Sequence, residues 1–536
     1  MAPRGPDTMR RWSKRLIFPL LALILGWVLS AIILISGCQS KSPTWQEQVQ
    51  DRSGEYGDVL PTPETEEQTL RSRLAAAGEH FQNGRYERSL EILRELEIAN
   101  TPNAEIPYLQ ARIAMAQKDL SLALFHLKKV LDSGVQQLEV DQRREVYRLL
   151  ASLSYDSRDF EQAYRYFLEM VNLSDQEVSA ETWIRLAEIA FYTRGDEAAA
   201  KIYLLNCLSA DLSDIGEANR RLLDRLSRRL RWSTLEAEQF GRNDANVSAL
   251  QIDGDDLWIG TWNGGISRYS VGSGESTLFK VGSESLTART VRTIEVTPAR
   301  VWIGTYQGLF QYKKSTSRWQ EMQFFGDKVE ALEAVGETVF VGTLGRGLWR
   351  STARGWEKIT QSGLPGEFIN CLVASDDYLL IGTLNLGLVM LDLHTGRLRS
   401  FDSINPDLTA RNVITLLVED EDNLWIGTYG EGLYRWDRRE NAVEHFSKAS
   451  GQLADDWVLC AVQARTGLYF GTFGGGVTHR SAQGRAWQQI GLRQGLAALD
   501  ISAVTYSPPR LYFGTLGSGI SVLDESLVLG GTRGIE

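Results

Sequence analysis

The stretch "DNLWIGTYGEGLYRWD" (422–437) decides how the second half of the chain is read, because nearly the same phrase returns six more times. It recurs as "DLWIGTWNGGISRYS", "RVWIGTYQGLFQYK", "TVFVGTLGRGLWRS", "YLLIGTLNLGLVMLD", "GLYFGTFGGGVTHRS" and "RLYFGTLGSGISVLD". A catalytic motif is normally used once, whereas a phrase used seven times is building material. Its glycines, Gly260, Gly304, Gly342, Gly382, Gly427, Gly471 and Gly514, are separated by 44, 38, 40, 45, 44 and 43 residues. A period of that length made of short strands is the signature of a β-propeller with one blade per repeat. Seven units predict seven blades.

Each unit reads as an apolar strand, a short Asp/Gly/Asn/Pro turn, the "LWIGT" strand, a glycine-rich hairpin, a "GLYRWD"-type strand and a more polar fourth strand. Blades pack face to face, so the inner strands are covered on both sides and are apolar at nearly every position. Trp258, Trp302, Phe340, Trp425, Tyr469 and Tyr512 stand two residues before the glycine and are expected to fill the wedge that opens between radiating blades. The last unit is one strand short. The stretch 234–240, "TLEAEQF", resembles a fourth strand and is expected to complete the last blade from the far end of the domain, with 526–531, "SLVLGG", as the alternative.

The "WIGT…GGL" phrase resembles the two-component regulator propeller repeat, found in the periplasmic sensor regions of hybrid histidine kinases. The resemblance covers roughly 233–536 and implies a ring that senses extracytoplasmic ligands. No kinase, receiver or DNA-binding segment follows the last unit in this sequence, so the signalling half of that family is not implied.

Between 71 and 232 the periodicity is helical. Ser89, Ala123, Ala163 and Ala200 each open a second helix, with Leu93, Leu127, Phe167 and Leu204 four residues later. Tyr86, Leu120 and Phe160 stand three before the small residue; the fourth unit has Glu197 there, and its first helix is offset by about one position. Small residues let antiparallel helices approach and large ones fill the seam. With spacings of 34, 40 and 37 residues, these units are similar to the tetratricopeptide repeat. The run 215–232 reads as a capping helix whose arginines form a solvated face or a partner site. The expected class is therefore an α-solenoid followed by a seven-bladed β-propeller, with boundaries at 1–37, 38–70, 71–232 and 233–536.

The amino terminus carries a basic "RRWSKR", a continuous apolar run and "ISGC" at 35–38. This resembles a bacterial lipoprotein signal with Cys38 as the lipidated residue; the alternative is an uncleaved membrane helix. Either reading places the remainder outside the cytoplasm on a membrane. Gln39 after the cysteine favours the outer membrane in a cell that has two, and an uncleaved helix would keep the protein at the inner one. Residues 38–70 read as a polar tether spanning on the order of 30 Å. The net charge of −11 argues against nucleic acid, which needs a basic surface. Three further cysteines, Cys207, Cys371 and Cys460, show no metal-ligand spacing and are read as buried free thiols.

The sequence shows no catalytic constellation, metal site or cofactor motif. The five histidines are scattered, and the Asp-rich turns are explained by turn propensity. One set is a candidate binding face: Trp262, Tyr306, Leu344, Leu384, Tyr429, Phe473 and Leu516, which directly follow each "GT". Blade topology places them on hairpin tips on one face of the ring, where aromatic anchors would bind a partner or tuck over the neighbouring blade. The function expected is a non-catalytic, membrane-tethered scaffold that binds envelope proteins through its solenoid and propeller face. The alternatives are a sensor of a glycan or small molecule and, less favoured, a propeller lyase.

Overall fold

The computed structural model describes residues 63–528 apart from 100–102, 174–176, 214, 242–243, 280–288, 323–327, 361–367 and 485. Cys38 and the rest of the amino-terminal reading lie outside these. No helix among the described residues is long and apolar enough to cross a membrane. The chain divides into two compact units, 1–96 and 97–536.

The first unit contains α1 (Pro63–Gln82) and most of α2 (Tyr86–Ile98). The helix starts inside the stretch read as tether, which corrects that boundary: proline at the first helical position forfeits no hydrogen bond and is preset for helical φ. Ser89 is fully buried and donates to the Ala77 carbonyl at 2.8 Å, so the small residue permits the close approach expected of it.

The second unit opens with three helical hairpins: α3 (Glu105–Ala116) with α4 (Leu120–Ser133), α5 (Val140–Asp156) with α6 (Phe160–Asn172), and α7 (Ala180–Glu188) with α8 (Glu197–Ser209). Ala123, Ala163, Ala200, Leu127, Phe167 and Leu204 are all buried in the seams. Asp119, Asp159 and Asp196 cap the second helix of each pair, accepting from Leu122, Gln162 and Ala199 N–H at 3.0, 3.3 and 3.0 Å. The offset in the last pair has a local cause: a π-turn at Ile189–Thr193 adds a residue to the end of its first helix. Then α9 (Glu217–Leu230) buries Leu222, Leu223, Leu226 and Leu230 against the last hairpin and Leu527.

Seven four-stranded antiparallel sheets follow. They are blades 1 (247–279), 2 (291–321), 3 (329–358), 4 (369–400), 5 (413–446), 6 (458–490) and 7 (501–524). Successive inner strands touch around a closed ring, blade 7 meeting blade 1. The outer strand of blade 7 is Trp232–Leu235, paired to Ile520–Leu523. The strand before the first unit therefore closes the ring as expected, two residues earlier than read. Residues 237–240 instead form a 3-10 turn, as do 525–527.

The aromatics before the glycine are all buried. Trp258 packs on Tyr312 and Trp319 of the next blade, Trp425 on Phe470 and Trp487, and Tyr469 on Phe513. Gly427 shows why no side chain fits at the glycine: a Cβ there would lie 2.5 Å from Thr415 Cγ2 and 3.0 Å from the Val458 carbonyl. Cys207, Cys371 and Cys460 are free thiols, and burial pushes them up to about 11, 12 and 12 respectively.

Candidate functional site

The loop face is built from one repeated device. In every blade the threonine of "GT" is buried and donates its hydroxyl to a carbonyl across the hairpin. The acceptors are Gly265, Gly308, Gly347, Gly387, Gly432, Gly476 and Gly519, at 2.7–3.2 Å. The next residue donates its backbone N–H to the residue before the inner strand of the same blade, from Trp262 to Asn246 at 3.0 Å through Leu516 to Asp500 at 3.0 Å. The hairpin tip is thus tied to the incoming inter-blade connection, which puts all seven predicted residues on one face. The threonine's part in this was missed in the sequence, although it is identical in all seven phrases.

The seven positions are not equivalent. Tyr429 and Phe473 are exposed, at 46% and 41%, while Trp262, Tyr306, Leu344, Leu384 and Leu516 are half-buried. Trp457, 36% exposed, lies between the two exposed rings, with centroids 4.2 Å from Tyr429 and 5.5 Å from Phe473. The three form a continuous aromatic ladder across blades 5 and 6. Gly430 makes room for it, since a Cβ there would sit 2.9 Å from Trp457 Nε1. The connection before Trp457 is pinned: the Asp456 carbonyl accepts from Gly430 and Gly432 N–H at 3.2 and 3.0 Å. Sequence reasoning missed Trp457, which precedes an inner strand; the available signal was an aromatic where five of the other six units carry Asn, Thr, Lys or Asp. Phe368 holds the same position in blade 4 and is 44% exposed.

Across the ring the same tips are covered by cations. Trp262 and Tyr306 meet edge to face at 6.3 Å. The Arg292 guanidinium lies 4.4 Å from the Trp262 ring centre and 5.7 Å from that of Tyr306, and Lys328 Nζ lies 5.1 Å from Tyr306. Arg292 Nε donates to Glu330 Oε1 at 2.9 Å. Burial alone would lower the Arg292 pKa, but the hydrogen bond and charge of Glu330 outweigh it and hold it above its usual value.

The same inner-strand position ties other blades together. Ser248 donates to the Val291 carbonyl at 2.5 Å, Asn370 to that of Val413 at 3.0 Å, and Ser502 to that of Val247 at 2.5 Å, the last closing the ring. Further along the inner strands, Glu295 accepts from Ala334 N–H at 3.3 Å and Glu333 from Ala374 N–H at 2.9 Å. Burial pushes the Glu295 carboxyl up to about 8, helped by the charge of Glu333, and burial pushes Glu333 up to about 7. Each satisfies a backbone donor on the next blade's inner strand, which has no further strand to pair with.

The acidic turns behave as turn residues: Asp420 accepts from Asp422 and Asn423 N–H at 2.9 and 2.8 Å. No cluster of metal-ligating side chains occurs among the described residues.

No family model and no curated protein matches this chain. Among solved structures it is similar to the extracellular domain of BT3049 from B. thetaiotaomicron, named as a hybrid two component system. That match has 18% identity and a TM-score of 0.47 over 55% of this chain and 41% of that one. It is likewise similar to the extracellular domain of BT4673 from B. thetaiotaomicron, named as a one component system, at 20% identity and a TM-score of 0.45 over 55% and 40% of the two chains. A third is the WD40 propeller domain of Doa1, at 11% identity and a TM-score of 0.42 over 53% and 94%. The chain thus spans about two fifths of the two bacterial domains.

Proposed function

We propose that this is a non-catalytic, membrane-tethered, extracytoplasmic binding protein whose propeller loop face takes a protein partner. The observation that carries the reading is the ladder Tyr429–Trp457–Phe473, three large rings left open to solvent on a face where every hairpin tip is hydrogen-bonded to the start of its inner strand. Rigid aromatic groups on a preorganised framework lose little entropy on binding and dominate interface energetics. The amino-terminal reading supports the location, and the overall acidity agrees with a partner other than nucleic acid. The helical hairpins, read as tetratricopeptide-like, supply a second interaction surface. Glu295 and Glu333 are the groups a lyase reading would recruit, but both are engaged as caps for backbone N–H groups.

The test is in vivo crosslinking of the full-length protein in envelope fractions, beside a variant with Tyr429, Trp457 and Phe473 changed to alanine. One envelope protein recovered with the parent and lost with the variant is the expected result. Retention of the same protein by both would refute the propeller face as the site and move it to the helices. Recovery of none would refute the protein-binding reading in favour of a soluble ligand such as a glycan.

A further inference from the structure

A second feature lies where α9 meets the ring, away from the aromatic ladder. Arg221, Arg225 and Arg228 follow one another at four- and three-residue steps along one stripe of α9, with Arg229 beside them. An open cleft of about 1000 Å³ runs between this stripe and the closing strand of blade 7, bounded also by the turn at 492–495. Arg231 and Arg493 bring the arginines lining it to six, against a single carboxylate, Asp224, which is ion-paired to Arg228. Such a concentration stands out in a chain of net charge −11.

A solvated helix face would account for Arg221, which pairs with Glu217 at 3.0 Å in the ordinary i, i+4 manner. It does not account for the floor of the cleft. Arg231 is only 6% exposed, and among the described residues no acceptor reaches its Nε. Its neighbour Trp232, 9% exposed, likewise has no acceptor for Nε1. Arg225, Arg229 and Arg493 form no ion pair among the described residues. Burial and the nearby charge of Arg228 both push the Arg231 pKa below its usual value, a cost that an incoming anion would reverse. A smaller cavity of about 290 Å³ shares Arg231, Ser233 and Thr234 and adds Lys201, Arg510 and one carboxylate, Asp524.

Guanidinium and indole N–H groups donate and do not accept, so the complementary ligand is a group made only of acceptors. Six guanidinium groups exceed what one carboxylate would neutralise, and their planar forks suit tetrahedral oxyanions bidentately. We infer that this cleft binds a phosphate-bearing anion, held by the arginines of α9 and Arg493 over a floor formed by Arg231 and Trp232. The ligand is either a free oligophosphate or the headgroup of an anionic phospholipid.

The experiment is calorimetric titration of the full-length protein in neutral detergent with tripolyphosphate and, separately, with a short-chain phosphatidylglycerol. The parent is expected to bind at least one probe saturably, with affinity falling as salt rises. Binding of tripolyphosphate alone assigns a free phosphate, and binding of the lipid assigns a headgroup. The variant with Arg225, Arg229 and Arg493 changed to serine is expected to bind about tenfold more weakly or worse at unchanged melting temperature, because these three side chains are exposed. Trp232→Phe, which removes one floor donor and keeps the ring, is expected to weaken binding with all charges in place. No saturable binding of either probe, or equal affinity in the triple-serine variant, would overturn the inference.

Discussion

The loop face of the ring has two arcs built from the same phrase and finished differently. On blades 1 and 2 the tip aromatics Trp262 and Tyr306 lie under Arg292 and Lys328, and Arg292 is in turn held by Glu330. On blades 5 and 6 the tip aromatics Tyr429 and Phe473 flank Trp457 and face solvent. Position in the repeat places a residue on the face. What the neighbouring blade brings beside it decides whether the residue stabilises the ring or stays available to a partner.

If the two arcs share one framework, damage to that framework must be equally severe in both. Gly304→Val and Gly427→Val each push a side chain against threonine and valine methyl groups: the added Cβ alone would lie 2.6 Å from Val329 Cγ1 in the first case and 2.5 Å from Thr415 Cγ2 in the second. Each is expected to cost about 3 kcal/mol or to prevent folding, measured by chemical denaturation. A large loss in one arc and none in the other would break the shared-framework half of the comparison.

The charged arc should respond next. Glu330→Ala removes the partner of Arg292, whose side chain is 20% exposed, and leaves its charge uncompensated between blades. The expected loss is about 2 kcal/mol, below that of a fully buried pair because water reaches part of the guanidinium. Arg292→Met with Glu330→Gln should recover much of it. A melting temperature unmoved by Glu330→Ala would show that the cation cover is a surface ornament rather than a brace.

The inner strands should show their effect only as pH rises. Glu295 and Glu333 titrate near 8 and 7 in the folded protein, above the ordinary carboxyl value of 4.5. The unfolded chain therefore loses these protons first as pH rises. Their favourable contribution is full below about pH 4.5 and is lost as pH climbs through about 7 to 8. Glu295→Gln with Glu333→Gln, which keeps an acceptor for Ala334 and Ala374 N–H, should flatten that decline. It is expected to make the protein more stable than the parent at pH 8 and to change little at pH 5. A variant that loses stability equally at both values would show that the carboxyls do not titrate in this range.

Much of this was legible in the residues. The seven-fold phrase specified seven blades because inner strands covered on both sides must be apolar, and the aromatic two before the glycine in six of the seven units had to fill a widening gap. The small residue opening each second helix was legible because only a short side chain lets two helices approach. The one-residue offset in the last hairpin was visible, but its cause, a π-turn at Ile189–Thr193, was not, since an added helical residue leaves no distinctive side chain. The candidate face was legible as a set of seven positions and not as a ladder, because Trp457 comes from a different segment of its repeat.

The sequence alone determined the elements, their number and the face on which the hairpin tips lie, since local periodicity and turn chemistry settle which side of a strand or helix is covered. Tertiary structure decided the rest. It placed Trp457 between Tyr429 and Phe473, set Arg292 over Trp262, brought Arg493 across from α9, and used Trp232–Leu235 to close a ring that ends at residue 524. Each joins residues from separate repeats or opposite ends of the ring, and contacts of that kind are fixed by the closure of the fold rather than by the pattern of any one segment.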